Sequence, residues 1–304
     1  MPKRLAPALV AGLVALVPSA AAGDARVFAC EPEWAALAGE IGGDSVAVYS
    51  ATHGRQDPHY IRARPSLIAQ VRRADIVFCS GAELEIGWLP VLMERGARHG
   101  VQSGQPGHLM AADHVETLER PERVDRSLGD IHPSGNPHVH LDPRNIALLA
   151  VELAGRLARV DPGNAAAYRT RLADFQARWS SATGRWRARA GKLRGMKVVV
   201  HHAAWSYLIR WAGLERIATL ERTPGVPPTA SHLQRLVQQV RKTGATAILH
   251  APHEPKDAAD WLSERTGIPV VALPYTVGGQ DEAGDLFALF DVTLALLEKA
   301  RDRS

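Results

Sequence analysis

The chain has little of several residue types, and each shortage argues against a class of protein. Only two of its 304 residues are cysteines and no CxxC pair occurs, so a zinc site built from thiolates is not expected. The absence of an HExxH motif argues against a metalloprotease helix. Basic residues exceed acidic residues by only four and form no stripe, so nothing favours a nucleic-acid partner.

The first residues have the three parts of a secretory signal peptide. Lys3 and Arg4 precede an apolar run over residues 5–17, and small residues follow at 19–22. An apolar run of about 13 residues is too short to span a bilayer. We therefore expect residues 1–23 to be removed, which leaves a soluble protein in the periplasm.

The two cysteines each end an apolar, strand-like run, RVFAC at Cys30 and DIVFC at Cys79. In an oxidising compartment, two such ends on neighbouring parallel strands could form a disulfide. The alternative is a pair of buried free thiols. We expect the disulfide.

Short β-branched runs alternate with amphipathic helical patterns along most of the chain. SVAVY and DIVFC lie in the first half, and MKVVV, TAILH and PVVAL lie in the second. This alternation favours βα units and parallel sheets, so the expected fold class is α/β. Between the halves, Asp161 and Pro162 begin a pattern of apolar and aromatic residues at steps of four and three. It predicts one rigid helix of about 29 residues, on the order of 43 Å long.

Three histidines occupy positions where parallel sheets collect ligands. His59 comes shortly after SVAVY, His202 directly follows MKVVV, and His138 precedes the helix that Asp142 and Pro143 announce. Ligands of open parallel sheets lie beyond the carboxyl ends of the strands. Each histidine alone could be an ordinary structural residue, but three neutral imidazoles together match a borderline divalent ion, zinc above all.

Residues 96–136 form another unusual stretch, which is glycine-rich at both ends and short of strand signals. Such a length without a regular pattern predicts a mobile or functional loop. The loop either captures metal or is a plain solvated insertion. Its four histidines are His99, His108, His114 and His132.

Three motifs occur in the order and spacing of a known family. They are DPH at 57–59, GNPH at 135–138 with LDP at 141–143, and HAAWSY at 202–207. With them the chain resembles the periplasmic solute-binding proteins of zinc and manganese ABC importers, over essentially its whole mature length. The resemblance implies two lobes, each a small parallel sheet flanked by helices, joined by the long rigid helix. The expected division is 24–160, 161–194 and 195–304.

The resemblance also implies a metal ion between the lobes, held by His59, His138 and His202. It implies binding and not catalysis, a membrane permease of an ABC importer as partner, and a monomer. A periplasmic metal chaperone is a further candidate partner. We expect zinc as the cargo, with manganese less favoured.

The fourth ligand is where the chain departs from the family. Ala203 stands where many members have an acidic residue after the third histidine, Pro274 stands where the last strand often ends in a ligating Asp, and the acidic residue common around 251–252 is missing. We expect Asp281, the first acidic group beyond the glycine-bearing turn after Pro274, to complete the site. The alternatives are Asp285, Glu254, His132 or water.

Two other classes of function compete with this interpretation. Residues 138–142 imitate the HxHxD motif of zinc hydrolases of the metallo-β-lactamase type, in which clustered ligands activate a water molecule. Pro143 stands where those enzymes place another histidine, and we do not expect an enzyme. An adhesin or a metal chaperone on the same scaffold is the third class.

Overall fold

A computed structural model of the protein describes residues 24–122, 129 and 132–303. The predicted signal peptide over 1–23 lies outside the described residues. Within the described part of the chain, no helix combines the length and apolar character needed to cross a membrane.

Two four-stranded parallel sheets form the framework, in the strand orders β2-β1-β3-β4 and β6-β5-β7-β8. The strands are β1 Ala25–Ala29, β2 Val46–Ser50, β3 Ile76–Cys79, β4 His108–Met110, β5 Lys197–Val200, β6 Glu215–Thr219, β7 Ala247–His250 and β8 Val270–Ala272. The predicted α/β fold with two parallel sheets is therefore confirmed. The strands β4 and β6 were not predicted because β4 has only three residues and β6 begins with Glu215 and Arg216, so neither forms an uninterrupted apolar run.

Helices cover the sheets, as parallel strands require crossover connections. They are α1 Pro32–Gly42, α2 Pro65–Arg73, α3 Leu89–Gly96, α4 Pro143–Val160, α5 Ala165–Gly191, α6 Ser206–Ala212, α7 Ala230–Thr243, α8 Asp257–Thr266 and α9 Leu286–Arg301. The predicted irregular loop over 96–136 is wrong in part, because it contains β4 and short 3₁₀ turns.

The long helix is α5, with 27 residues and a length of about 40 Å. A 3₁₀ turn at Pro162–Asn164 precedes it, so the α-helix begins a few residues after the predicted start. One apolar cluster contains the inner side chains of both sheets together with the aromatic stripe of α5, and α5 therefore connects the lobes through a shared core. The buried residues of the stripe are Tyr168, Phe175, Trp179, Ala182 and Trp186. The division into 24–160, 161–194 and 195–304 remains a prediction.

A disulfide joins Cys30 and Cys79 at the carboxyl ends of β1 and β3, as predicted. The two strands are hydrogen-bonded neighbours, and the Cα atoms of the cysteines lie 4.8 Å apart. Both cysteines are fully buried. The cross-link therefore stiffens the carboxyl ends of these two central strands, from which the chain continues towards the candidate site.

Candidate metal centre

The three predicted histidines lie on turns that follow strands or precede helices. His59 belongs to a 3₁₀ turn after β2, and the Asp57 carboxylate accepts a hydrogen bond of 2.9 Å from its backbone N–H. His202 follows β5 and caps another 3₁₀ turn. The backbone N–H of His138 donates to the Asn136 side chain at 3.0 Å. Local hydrogen bonds therefore fix the backbone from which each ring projects.

The structure brings these three rings together between the lobes. The ring centroids are 5.8 Å apart for His59 and His138, 5.8 Å for His59 and His202, and 5.6 Å for His138 and His202. One nitrogen of each ring lies within 4.8 Å of the corresponding nitrogens of the others. Such a cluster could hold one metal ion with little rearrangement.

A fourth imidazole, His132, adjoins this cluster. Its Nε2 lies 3.3 Å from Nε2 of His59, and its ring centroid is 6.4 Å from that of His138. In the sequence His132 was only the last alternative for the fourth ligand. The signal that could have raised its rank was the four histidines of the stretch over 96–136.

Each of the four rings has its Nδ1 atom engaged by an oxygen. The partners are Asp57 for His59 at 2.8 Å, the Ala82 carbonyl for His132 at 3.0 Å, the Tyr275 hydroxyl for His138 at 2.7 Å, and Glu221 for His202 at 2.9 Å. When Nδ1–H donates to these oxygens, the lone pair is left on Nε2. In metal-ligating histidines, the ring nitrogen that does not bind the metal typically donates to such an oxygen, which fixes the orientation of the ring.

The Nε2 atom of His138 is buried and has no hydrogen-bond partner among the described residues. An unsatisfied buried ring nitrogen is costly unless something binds it. The Nε2 atoms of His59 and His132 face each other at 3.3 Å. Two lone pairs at this distance repel unless a cation or a proton lies between them, so these atoms also need a bound cation or proton. The site therefore fits a cation.

Burial and charge set the protonation of the site. Burial, together with the neighbouring histidines, holds the pKa of His138 well below its usual value and lowers the pKa of His132 to about 3. Burial alone would lower the pKa of His202 too, but the hydrogen bond and charge of Glu221 raise it above the usual value.

The two carboxylates behind the rings stay ionised for the converse reason. Burial favours the neutral acid at both, yet hydrogen bonds from the imidazoles lower the pKa of Asp57 and lower that of Glu221 to about 2. The site thus supplies two negative charges directly behind the ring nitrogens of His59 and His202.

The structure does not bring Asp281 to this cluster. Its side chain is 90% exposed and forms an ion pair of 2.6 Å with Arg55. Asp285, an alternative, caps α9 by accepting a hydrogen bond from the backbone of Ala288. Glu254 is nearer, on the wall of the cavity beside the histidines, and burial raises its pKa to about 7.

The HxHxD pattern at 138–142 does not form a joint site. The His140 Nε2–H donates to the Tyr275 carbonyl at 2.9 Å, and its Nδ1 faces Glu33 at 3.1 Å in the interior. Asp142 caps α4 and pairs with Arg144. Only His138 of this segment is directed to the cluster, so the constellation needed by a hydrolase is not assembled.

A cavity of about 500 Å³ opens beside the three histidines of the cluster. The residues of its polar wall are Asp57, His201, Glu221, His253 and Glu254, and Trp261 contributes apolar surface. The residues that line the cavity come from both halves of the chain.

Comparison with known proteins identifies the family of this chain. The family model described as ZnuA, the periplasmic component A of the zinc-uptake complex, matches residues 27–300. The chain belongs to this family. It is therefore a divalent-metal-binding component of an ABC importer that acts outside the cytoplasm, and not an enzyme. The zinc-hydrolase alternative is wrong.

Relatives in this family carry names with different metals. The manganese ABC transporter substrate-binding lipoprotein PsaA of Streptococcus pneumoniae is 22% identical over 269 residues, which cover 86% of this chain and 84% of PsaA. The high-affinity zinc uptake system protein ZnuA of Brucella abortus is 27% identical over 135 residues, 43% of this chain and 40% of that protein.

Solved structures of the family share the fold. A crystal structure of ZnuA has a TM-score of 0.73 at 21% identity, and the match covers 91% of this chain and 98% of that one. The manganese-bound periplasmic metal-binding protein of Candidatus Liberibacter asiaticus also has a TM-score of 0.73, at 16% identity, covering 91% of this chain and 100% of that one.

Proposed function

We propose that this chain binds one zinc ion through His59, His132, His138 and His202 and delivers it to the permease of an ABC importer. The observation that carries the proposal is a cluster of four neighbouring rings whose Nδ1 atoms are all engaged by oxygens, which leaves their Nε2 atoms for a metal ion. His132 replaces Asp281 in this set because Asp281 is exposed and paired with Arg55.

The distance between His59 and His132 supports tetrahedral coordination. Zinc–nitrogen bonds of roughly 2.0–2.1 Å place two nitrogens of a tetrahedron about 3.3–3.4 Å apart. The two Nε2 atoms lie 3.3 Å apart. This pair could accept zinc as it stands, and small movements of the other two rings would complete the coordination.

The donor atoms favour zinc over manganese. Imidazole nitrogens suit zinc, whereas manganese prefers carboxylate, carbonyl and water oxygens. In the described cluster the carboxylates of Asp57 and Glu221 bind Nδ1 atoms and are engaged behind the rings. The manganese named for PsaA is the second candidate cargo, favoured if His132 does not bind and water fills its place.

Export and delivery follow from the family and the chain together. The basic and apolar N-terminal segment supports removal of residues 1–23 and a periplasmic location. The buried disulfide is consistent with an oxidising compartment. We expect a monomer that receives the ion free or from a periplasmic metal chaperone and releases it to a membrane permease.

Metal titration of the purified mature protein tests the proposal. One zinc per chain should bind, more tightly than manganese, and elemental analysis should confirm the ratio. Zinc at one hundred times its dissociation constant should add about 2.7 kcal/mol to the free energy of unfolding. Equal melting temperatures in chelator and in excess zinc would contradict the proposal, and tighter binding of manganese would leave the importer role but reverse the choice of cargo.

A further inference from the structure

We propose that the turn over residues 80–85 positions the fourth histidine, and that Glu83 is the residue that holds the His132 segment against it. The inference rests on the proposed function, since it concerns how His132 becomes a ligand. It assigns a role to a glutamate that does not belong to the cluster and was not singled out by its sequence.

The turn has an unusual backbone. Gly81, Ala82 and Glu83 all have positive φ, at 74°, 46° and 63°. Glycine adopts this region freely, but alanine and glutamate adopt it only at an energetic cost, because their Cβ atoms crowd the backbone. Strained backbone of this kind persists where the surroundings over-determine it, and it clusters at functional sites.

Buried groups hold the turn in place. The Glu85 carboxylate accepts hydrogen bonds from the backbone N–H groups of Ser80 at 2.8 Å and Gly81 at 3.1 Å. Glu31 accepts a further bond of 3.1 Å from the Ser80 hydroxyl. Cys79, just before the turn, is anchored by its disulfide to the end of β1. The residues with positive φ therefore directly follow a part of the backbone that is held by buried hydrogen bonds and the disulfide.

The strained residues are the ones that contact the His132 segment. The Ala82 carbonyl accepts the Nδ1–H of His132 at 3.0 Å, which selects the tautomer with a free Nε2. The Glu83 carboxylate accepts two bonds from Ser134, from the backbone N–H at 3.1 Å and from the hydroxyl at 2.8 Å. The left-handed turn thus aims one carbonyl and one carboxylate at the same short segment.

This arrangement differs from the support of His59 and His202. Asp57, which holds His59, is only two residues away, and Glu221, which holds His202, is 19 residues away. His132 is held by residues about fifty positions earlier in the chain. Its place as a ligand therefore depends on a tertiary contact, and Glu83 makes the side-chain part of that contact.

Zinc affinity of Glu83→Ala tests the proposal. Alanine keeps the left-handed backbone but loses both bonds to Ser134, and loss of such outer partners typically weakens metal binding by about tenfold or more. Glu83→Gln, which can still accept from Ser134, should retain most of the affinity. Glu94→Ala, at an exposed glutamate of α3, is the matched control for the change in charge and should bind zinc like the wild type.

The His132→Ala background separates positioning from a general structural effect. If Glu83 acts through His132, Glu83→Ala should weaken zinc binding in the wild type and have no further effect in His132→Ala. The absorption spectrum of bound Co²⁺ should also change from tetrahedral towards higher coordination in both single variants alike. An equal loss in the two backgrounds would overturn the proposal.

These experiments distinguish a failure of the positioning role of Glu83 from a failure of the proposed function. Wild-type affinity in Glu83→Ala, with a weakened His132→Ala, would sink the positioning role and leave the four-histidine site intact. Wild-type affinity and spectrum in His132→Ala would remove His132 from the site and the positioning role with it. A wild-type protein that binds neither zinc nor manganese would overturn the proposed function itself.

Discussion

The two sheets of the molecule have the same topology but end differently at the cleft. In each, the first strand of its half pairs with the second and the third strand, and the fourth strand pairs with the third. Beyond the pair Ala29 and Phe78 of the N-terminal sheet come Cys30 and Cys79, joined by the disulfide. Beyond the corresponding pair of the C-terminal sheet, Val200 and Leu249, come His201 and His250.

The two lobes therefore contribute different groups to the candidate site. The N-terminal lobe has a covalent cross-link at this position and supplies His59, His132 and His138. The C-terminal lobe has imidazoles there and supplies His202, with Glu221 close to both His201 and His202. A cross-linked lobe with three candidate ligands is suited to pre-form most of the site, and the other lobe completes it with a ring whose charge depends on pH.

Removing the cross-link should have the largest effect on this comparison. The double variant Cys30→Ala/Cys79→Ala opens a loop with a sequence separation of 49. The chain-entropy model gives about 4 kcal/mol for a loop of this size, which corresponds to a fall of roughly 10 °C in the melting temperature. Thermal melts of the variant and of the wild type with and without reductant measure it. An unchanged melting temperature in the variant would mean that the N-terminal lobe does not depend on its cross-link.

Removing one ligand from each lobe should weaken zinc binding to a similar extent. Structural zinc sites bind with roughly 10–16 kcal/mol, so one of four ligands contributes about 3 kcal/mol, or a factor on the order of 100 in affinity. His138→Ala and His202→Ala should both show this loss in a competition titration.

The apo proteins should differ, because His138 is fully buried and His202 is partly exposed. The apo melt of His138→Ala should therefore fall by the equivalent of about 2 kcal/mol, and that of His202→Ala by less. Equal apo melts would contradict the view that the N-terminal lobe pre-forms the site.

The smallest effect should come from removing the negative charge of Glu221, which pairs with the ring of His202. Zinc needs this ring neutral, so affinity is full above the raised pKa of His202 and falls as the pH drops through it. Glu221→Gln removes the charge that raises this pKa, so the loss due to His202 should begin at lower pH. His132 and His138 add no loss in this range, because their pKa values lie well below it.

Zinc titrations between about pH 5 and pH 8 should show the curve of Glu221→Gln displaced to lower pH. Superimposed curves from the two proteins would show that Glu221 does not set the proton competition.

Much of this architecture was accessible from the pattern of the sequence. The strands around Val199 and Phe78 and the aromatic stripe of α5 are periodic signals that depend only on neighbouring residues. His59 and His202 were found because each follows such a strand. Asp281 was chosen for its closeness in the chain to the end of β8, and closeness in the chain does not decide where a side chain points. In the structure the side chain of Asp281 is exposed and forms an ion pair with Arg55.

His132 and Tyr275 illustrate what the pattern could not show. The contact of His132 with Ala82 and the contact of Tyr275 with His138 join residues 50 and 137 positions apart. The positive φ of Ala82 and Glu83 has no glycine at either position to announce it. Local periodicity determined the sheets and the long helix, because each depends on burial of one face of a single element. The position of His59, His138 and His202 next to these elements, with the family motifs, singled out three of the clustered histidines. Only the tertiary structure decided the place of His132 and its partners, because a tautomer and a lone-pair direction depend on atoms that are far apart in the chain.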